Sequence, residues 1–451
     1  MAETGSTADL NTSVTDPGRP GMTTTQRIWA IVGGSAGNMV EWYDWFAYSA
    51  FSLYFAASFF PKGDETAQLL QALSVNIVSF LARPLGAWMM GRFADTYGRK
   101  TGLLVSVLMM CVGSLIMACA PTYAKIGIGA PIILGFARLI QGLSVGGQYG
   151  AAATYMSEMA TAKRRGFWSS FHYVTLIGGQ LLATGVAIVL QKIYPEAEIK
   201  AWAWRIAFFI GAALALLVLV AQTRLKETES FKNAKASGLK GNTWHLFTLY
   251  PKETMVIVGL TAAGTSAFYA YTSYMTKFLA TPHAGVDAVA HFTKPEATAI
   301  TSFMLIVFML VQPLSGHLAD KFGRKAIMIA GMALSAVVAW PIFNAIAGST
   351  SFWGTVALCS VPLVFLSGYT AISAVVKAEL FPAHMRALGV ALPYALSNAV
   401  FGGIAEPAAL AWKGSGHERY FYVYIALLMV GGLITALLMR DTKKYSLITE
   451  G

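Results

Sequence analysis

Gly91-Arg92-Phe93-Ala94-Asp95-Thr96-Tyr97-Gly98-Arg99-Lys100 joins two long apolar runs, and Gly316-His317-Leu318-Ala319-Asp320-Lys321-Phe322-Gly323-Arg324-Lys325 does the same later in the chain. Each copy is a short cationic turn with Gly, Asp, Gly and Arg at matching positions. The copies stand half of the 451-residue length apart, so the repeating unit is half of the protein. A duplicated apolar bundle with the same charged hinge in each half is the build of an alternating-access carrier. A second pair of landmarks keeps the same register. Glu158 precedes Arg165-Gly166, and Glu379 precedes Arg386 by the same interval, with Gly389 close by.

Composition agrees with a membrane setting. Hydrophobic residues make up 56% and charged residues 12%, against about 25% charged in a soluble domain. Twelve apolar runs of spanning length can be read, at roughly 28–57, 68–92, 101–120, 130–156, 166–191, 203–223, 253–280, 297–318, 326–347, 352–378, 386–412 and 419–439. The expected fold is therefore all-α and membrane-integral, with twelve transmembrane helices in two six-helix halves. The expected organisation is a disordered tail over 1–26, bundles over 27–223 and 253–440, a linker over 224–252 and a tail over 441–451. The Ser/Thr-rich start lacks an apolar h-region, so no cleavable signal is expected.

The net charge of +11 is unevenly placed. Lys163-Arg164-Arg165, both repeat turns, the 224–252 insert and Arg440, Lys443 and Lys444 fall on one side. Lys62, Lys125, Lys192, Lys200, Lys294, Lys413 and Arg419 fall on the other. The positive-inside bias then puts both termini in the cytoplasm and removes nucleic acid as the partner of the basic chain. Cys111, Cys119 and Cys359 all lie in apolar runs and read as small hydrophobes. No metal-spaced His cluster, activated nucleophile or nucleotide loop is present, so no cofactor, no metal and no enzyme activity are expected, and an ion gradient is the expected energy source. A ligand-binding sensor is the rival of another class, but such proteins usually add a soluble domain. A channel does not call for duplicated gates.

At the two repeat turns the chain resembles the major facilitator superfamily. Gly37-Asn38-Met39-Val40-Glu41-Trp42-Tyr43-Asp44, Arg83-Pro84-Leu85-Gly86 and Arg138-Leu139-Ile140-Gln141-Gly142-Leu143-Ser144-Val145-Gly146-Gly147 are similar to its metabolite:proton symporter group. That group includes carriers of 2-oxoglutarate, citrate, shikimate and proline/betaine, and Tyr155-Met156-Ser157-Glu158 and Lys377-Ala378-Glu379-Leu380-Phe381-Pro382 look most like the 2-oxoglutarate carriers. The resemblance implies import of a small organic anion, a dicarboxylate such as 2-oxoglutarate, with protons, by a monomer in the bacterial inner membrane. Citrate, shikimate or a zwitterionic osmolyte are the alternative cargoes. One departure stands out: Gln148 follows the paired glycines where the group usually has an acid.

Charges inside spans are costly and need a reason. Arg83 and Arg138 suit the planar carboxylates of an organic diacid, each through a guanidinium fork; the alternative is that they only neutralise Asp44 and Glu41. Tyr43, Gln180 and Lys377 complete the expected substrate-binding set. Coupling requires a carboxyl whose proton is linked to substrate. Asp44 is the first candidate, then Glu41, with Glu406 and His172 behind them. The expected cytoplasmic gate comprises Gly91, Asp95, Gly98, Arg99, Glu158 and Arg165, with Gly316, Asp320, Gly323, Arg324, Glu379 and Arg386 as counterparts. Within it Asp95 is expected to pair with Arg99 and Asp320 with Arg324, as exposed ion pairs weak enough to break in each cycle. Gly142, Gly146 and Gly150 form a strip for close helix approach.

Overall fold

The repeat turns are helix breaks made by glycine. Gly98 and Gly323 adopt φ of 114° and 102°, open to glycine and strained for any side chain. Each separates two long helices directly: α2 (Glu65–Tyr97) from α3 (Arg99–Cys119), and α8 (Lys294–Phe322) from α9 (Arg324–Ala347). The computed structural model describes residues 24–61, 65–236, 242–281 and 291–448. The expected N-terminal tail lies outside these until Thr24, where the first helix begins.

The remaining helices of the first half are α1 (Thr24–Phe59), α4 (Gly129–Met159), α5 (Arg165–Ile193) and α6 (Trp204–Thr223). Those of the second are α7 (Pro251–Tyr271, continued by Ser273–Leu279), α10 (Phe352–Glu379), α11 (Arg386–Ser397 and Gly403–Gly414) and α12 (Arg419–Leu438). Between the halves, the insert carries short helices at Glu229–Ala236 and Thr243–Thr248. Ten of the twelve have the length and apolar content of a membrane crossing. The other two, α1 and α2, are 36 and 33 residues long and carry Glu41, Asp44 and Arg83. No strand occurs among the described residues. Leu81, Leu217, Val337 and Leu438 stand largely exposed on the outside, as lipid-facing residues of a helical bundle must.

Glycine also sets how close helices come. A Cβ at Gly146 would lie 2.1 Å from the Arg83 carbonyl oxygen, and one at Gly142 2.4 Å from that of Ser79. Gly86 returns the contact, 2.2 Å from the Leu143 oxygen. These three let α2 and α4 touch backbone to backbone. Gly150, the last of the strip, faces the other half, where a Cβ would sit 2.5 Å from Ala391 Cβ on α11. The halves meet crosswise: α2 and α4 pack on α11, and α5 packs on α8 and α10. Within the second half α11 is broken by a wide turn over Asn398–Gly402, a local irregularity often kept for a ligand site.

Gly146→Val forces α2 and α4 apart at the level of Arg83, where backbone cannot yield. A loss of about 1–3 kcal/mol is expected, read as a lower melting temperature in detergent. Gly185→Ala on α5, with nothing within 4 Å of its Cβ, should melt no lower than wild type.

Candidate functional site

The charges of α1 and α4 form one buried network inside the first half. Asp44 Oδ1 accepts from Ser114 Oγ at 2.5 Å, and Oδ2 accepts from Gln141 Nε2 and lies 3.6 Å from Arg138 Nη1. Arg138 Nη1 also donates to Gln141 Oε1 at 2.8 Å, and its guanidinium lies 4.1 Å from the Tyr48 ring centre and 5.1 Å from that of Trp45. Arg138 is thus tied to its own half on several sides. The carboxylate beside it is Asp44.

Arg83 is differently held. Its guanidinium is packed 4.3 Å from the Trp45 ring centre and 4.2 Å from that of Phe80. Burial is nearly complete at 2% exposure, yet Nε and Nη1 have no hydrogen-bond partner among the described residues. Aromatic faces attract a cation but do not fill its N–H directions. Glu41 stands within electrostatic reach of Arg83, and its Oε2 is likewise without a hydrogen-bond partner. The Tyr269 hydroxyl of α7 is close to Arg83 as well. A small cavity between the halves is lined by Trp42, Tyr173 and Leu176 of the first and Thr265, Phe268, Tyr269, Tyr394 and Asn398 of the second.

Several expected residues fall elsewhere. Tyr43 donates its hydroxyl to the Ala207 carbonyl at 2.7 Å and is committed to packing α1 on α6, so it does not line the cavity. Glu406, just after the wide turn of α11, is ion-paired with Lys277 and partly exposed, and it stands within electrostatic reach of Tyr269. His172 is fully buried with neither ring nitrogen hydrogen-bonded; its ring centre is 5.0 Å from that of Tyr149. Gln180 is buried with Oε1 unpartnered. Gln148 packs against Gly37 of α1, close enough that a Cβ there would meet its Nε2 at 2.3 Å. Lys377 is fully buried beside Tyr149, Tyr369 and Tyr394. Trp45, Phe80, Ser114, Gln141 and Tyr149 were not singled out in the sequence. The one available signal was the placement of Gln141 one helical turn after Arg138.

On the face that bears the repeat turns, the motif residues lock the halves together. Asp95 accepts backbone N–H groups of Ala387 and Leu388 at 3.2 and 2.9 Å. Asp320 accepts those of Gly166 and Phe167, both at 2.8 Å. Each carboxylate therefore caps the N-terminus of a helix from the opposite half, where free N–H groups and the helix dipole favour an anion. Gly91 and Gly316 let the backbones approach: a Cβ would stand 2.9 Å from Leu388 Cα or 2.5 Å from the Gly166 oxygen. Arg99 pairs with Asp95 at 2.7 Å, and Arg324 lies 3.9 Å from Asp320. The glutamates are shared: Glu158 pairs with Arg386 across the divide and lies 3.8 Å from Arg99, while Glu379 pairs with Arg324 and lies 3.8 Å from Arg165 across it.

Two expectations need correction here. The Asp95–Arg99 and Asp320–Arg324 pairs are not exposed: all four side chains are below a tenth exposed, because the helix crossing brings the motifs face to face. Such pairs depend on complete mutual satisfaction rather than on cheap rupture. Nor is the segment after Arg440 merely a tail. Leu447 N donates to the Glu379 carbonyl at 3.1 Å; Arg386 and Arg165 donate to the Leu447 and Ile448 carbonyls at 2.8 and 3.2 Å. Ile448 is buried at 4% exposure. The insert contributes too, through Glu227, which accepts the Arg99 N–H at 3.0 Å.

Comparison with known proteins accords with this architecture. A family model described as "Sugar (and other) transporter" matches residues 29–244, and one described as "Major Facilitator Superfamily" matches 267–450. The chain is 46% identical to the alpha-ketoglutarate permease of Escherichia coli (strain K12), covering 98% of this chain and 99% of that protein. It is 30% identical to the citrate-proton symporter of Klebsiella pneumoniae over 92% of each chain. It is also 30% identical to the proline/betaine transporter of Escherichia coli (strain K12), over 92% and 83%. Among solved structures, the proton:xylose symporter XylE superposes with a TM-score of 0.77 at 17% identity, over 95% of this chain and 98% of that one; at that identity the likeness concerns the fold. With two matched halves, the crosswise gate and a full-length relative at this identity, the chain belongs to the major facilitator superfamily of multi-pass membrane transporters.

Proposed function

We propose that this protein imports a small organic anion, a dicarboxylate of the 2-oxoglutarate class, together with protons, by alternating access across an inner membrane. The observation that carries the reading is Arg83. It is a buried guanidinium with unfilled N–H directions, beside a carboxylate in the same condition and next to a cavity shared by both halves. A guanidinium so placed is matched to a carboxylate ligand. The full-length relative named for alpha-ketoglutarate supports that class of cargo. The membrane orientation in this reading follows the positive-inside bias, with the repeat turns and both termini cytoplasmic and the protein acting as a monomer in lipid.

Coupling follows from a shared cation. When substrate takes Arg83, the carboxyl that Arg83 had stabilised as an anion binds a proton more readily, so proton and substrate enter together. Asp44 leads on the sequence, but Ser114, Gln141 and Arg138 already hold both its oxygens. Glu41 shares Arg83 and keeps one oxygen free, which favours it as the carrier with Asp44 as its support. The cytoplasmic gate of this cycle is the set of Asp–helix and Glu–Arg contacts between the halves, reinforced by residues 447 and 448.

Arg83→Gln should insert normally and lose dicarboxylate uptake in proteoliposomes by at least ~10-fold, since a hydrogen bond to a charged group contributes about 1.5–3 kcal/mol; full uptake would remove Arg83 from the site. Glu41→Gln should keep counterflow exchange and lose accumulation driven by an inward proton gradient. If Asp44→Asn shows that pattern instead, the carrier is Asp44. Glu379→Gln, which leaves the buried Arg324 without its carboxylate at a cost of about 3–5 kcal/mol, should populate a state open at the turns. Spin labels at Tyr97 and Phe322, the exposed ends of α2 and α8, should report longer distances, and deletion of residues 446–451 should act in the same direction.

A further inference from the structure

The second half holds a buried cation that no carboxylate answers. Lys377 Nζ lies 3.0 Å from the Tyr149 hydroxyl and 3.2 Å from the Tyr369 hydroxyl. It stands 4.5 Å from the Tyr394 ring centre, and the residue is fully buried. Among the described residues it makes no ion pair. Tyrosine oxygens satisfy an ammonium only in part, and an unpaired buried charge is costly. A position of this kind persists where an anion arrives.

We propose that Lys377 is the second anion-binding group of the transport site, so that a dicarboxylate bridges Arg83 in the first half and Lys377 in the second. This deepens the organic-anion reading above and rests on it. Position supports the bridge. Tyr269, close to Arg83, and Tyr394, against Lys377, both line the small cavity between the halves, so a cation stands behind a lining residue on either side of it. Tyr149 belongs to the first half and Lys377 to the second, so their hydrogen bond already crosses the divide that the ligand would cross. The Tyr149 hydroxyl holds the ammonium in place; an entering carboxylate is the stronger acceptor and displaces it. Lys377 also lies two residues before the gate residue Glu379 on α10. A ligand held at Lys377 therefore acts on the helix end that closes the cytoplasmic face. A ligand with one carboxylate reaches one pole only, which makes the two-cation arrangement the source of selection for diacids.

The test is equilibrium binding to the reconstituted full-length protein, with 2-oxoglutarate and with 2-oxopentanoate, the same chain lacking the second carboxylate. Lys377→Met, which keeps an unbranched side chain among the tyrosines, should weaken 2-oxoglutarate by ~10–100-fold, the scale of a lost charged hydrogen bond, and 2-oxopentanoate by less than ~3-fold. Lys377→Arg should recover most of the loss. Tyr149→Phe keeps the ring stack on Tyr394, whose centroids are 3.6 Å apart, and removes the competing hydroxyl. It should tighten 2-oxoglutarate ~2–5-fold and leave 2-oxopentanoate unchanged to within ~1.5-fold. Wild-type affinity in Lys377→Met, or an equal loss for both probes, overturns the bridge while leaving the dicarboxylate reading intact. Should Lys377→Met fail to fold, unchanged or weaker 2-oxoglutarate binding in Tyr149→Phe overturns it. Absence of 2-oxoglutarate binding in wild type is the distinct result that removes the dicarboxylate reading and the bridge with it.

Discussion

Two carboxylates set against helix N-termini hold the closed face of this transporter. Asp95 and Asp320 each reach a pair of backbone N–H groups in the other half. That reach fixes most of what surrounds them. The glycine preceding each Asp by one helical turn must be small, because the helix carrying the Asp lies against the helix it caps. The arginine one turn after each Asp offsets its charge, and the shared glutamates answer the arginines that begin α5 and α11. A motif that reads in sequence as a polar turn is in space a set of parts serving one contact. Its conformational freedom is limited to the whole set opening together, since partial loss would strand a buried charge.

The site above it obeys the opposite rule. The gate ions each face an opposite charge, whereas Arg83 keeps two nitrogens and Glu41 one oxygen without a hydrogen-bond partner, and Lys377 meets tyrosine hydroxyls in place of a carboxylate. Aromatic residues do much of the holding: Trp45 stands by Arg83 and Arg138, and tyrosines enclose Lys377. Rings stabilise a cation modestly without occupying its hydrogen-bond directions, so the cations stay available to a ligand. Asp44 and Arg138, with Ser114 and Gln141, anchor the network from behind.

The spans and the residues that join the halves were legible in the sequence for a common reason: both repeat. Glycine, aspartate and arginine recur in register, and that recurrence marks them even before any partner is known. The identity of the partners was not legible, because Asp95 finds Ala387 and Leu388 only through the crosswise packing of α2 on α11. For the same reason the gate pairs looked like surface charges of a turn and proved buried. Tyr43 and Tyr149 illustrate the limit within the site. Both are span tyrosines near charged neighbours, yet one is spent on the Ala207 carbonyl and the other holds Lys377. Helix rotation decides between them, and hydropathy patterns leave it open when every face is apolar.

The crosswise gate has a further implication. The second helix of each half caps the fifth helix of the other, so the contact is isologous: what the first half does to the second, the second does to the first. Two identical six-helix protomers related by a two-fold axis would make the same interface, and the insert between α6 and α7 ties that dimer into one chain. A dimer of identical protomers could offer only paired, equivalent binding residues. Here the position that repeats Arg83, counted back from Gly316 as Arg83 is from Gly91, is Phe308, and the one that repeats Lys377, counted back from Glu158, is Met156. A single chain can keep the paired Asp–helix contacts equivalent while the positions around the cavity differ between the halves, as an asymmetric cargo requires.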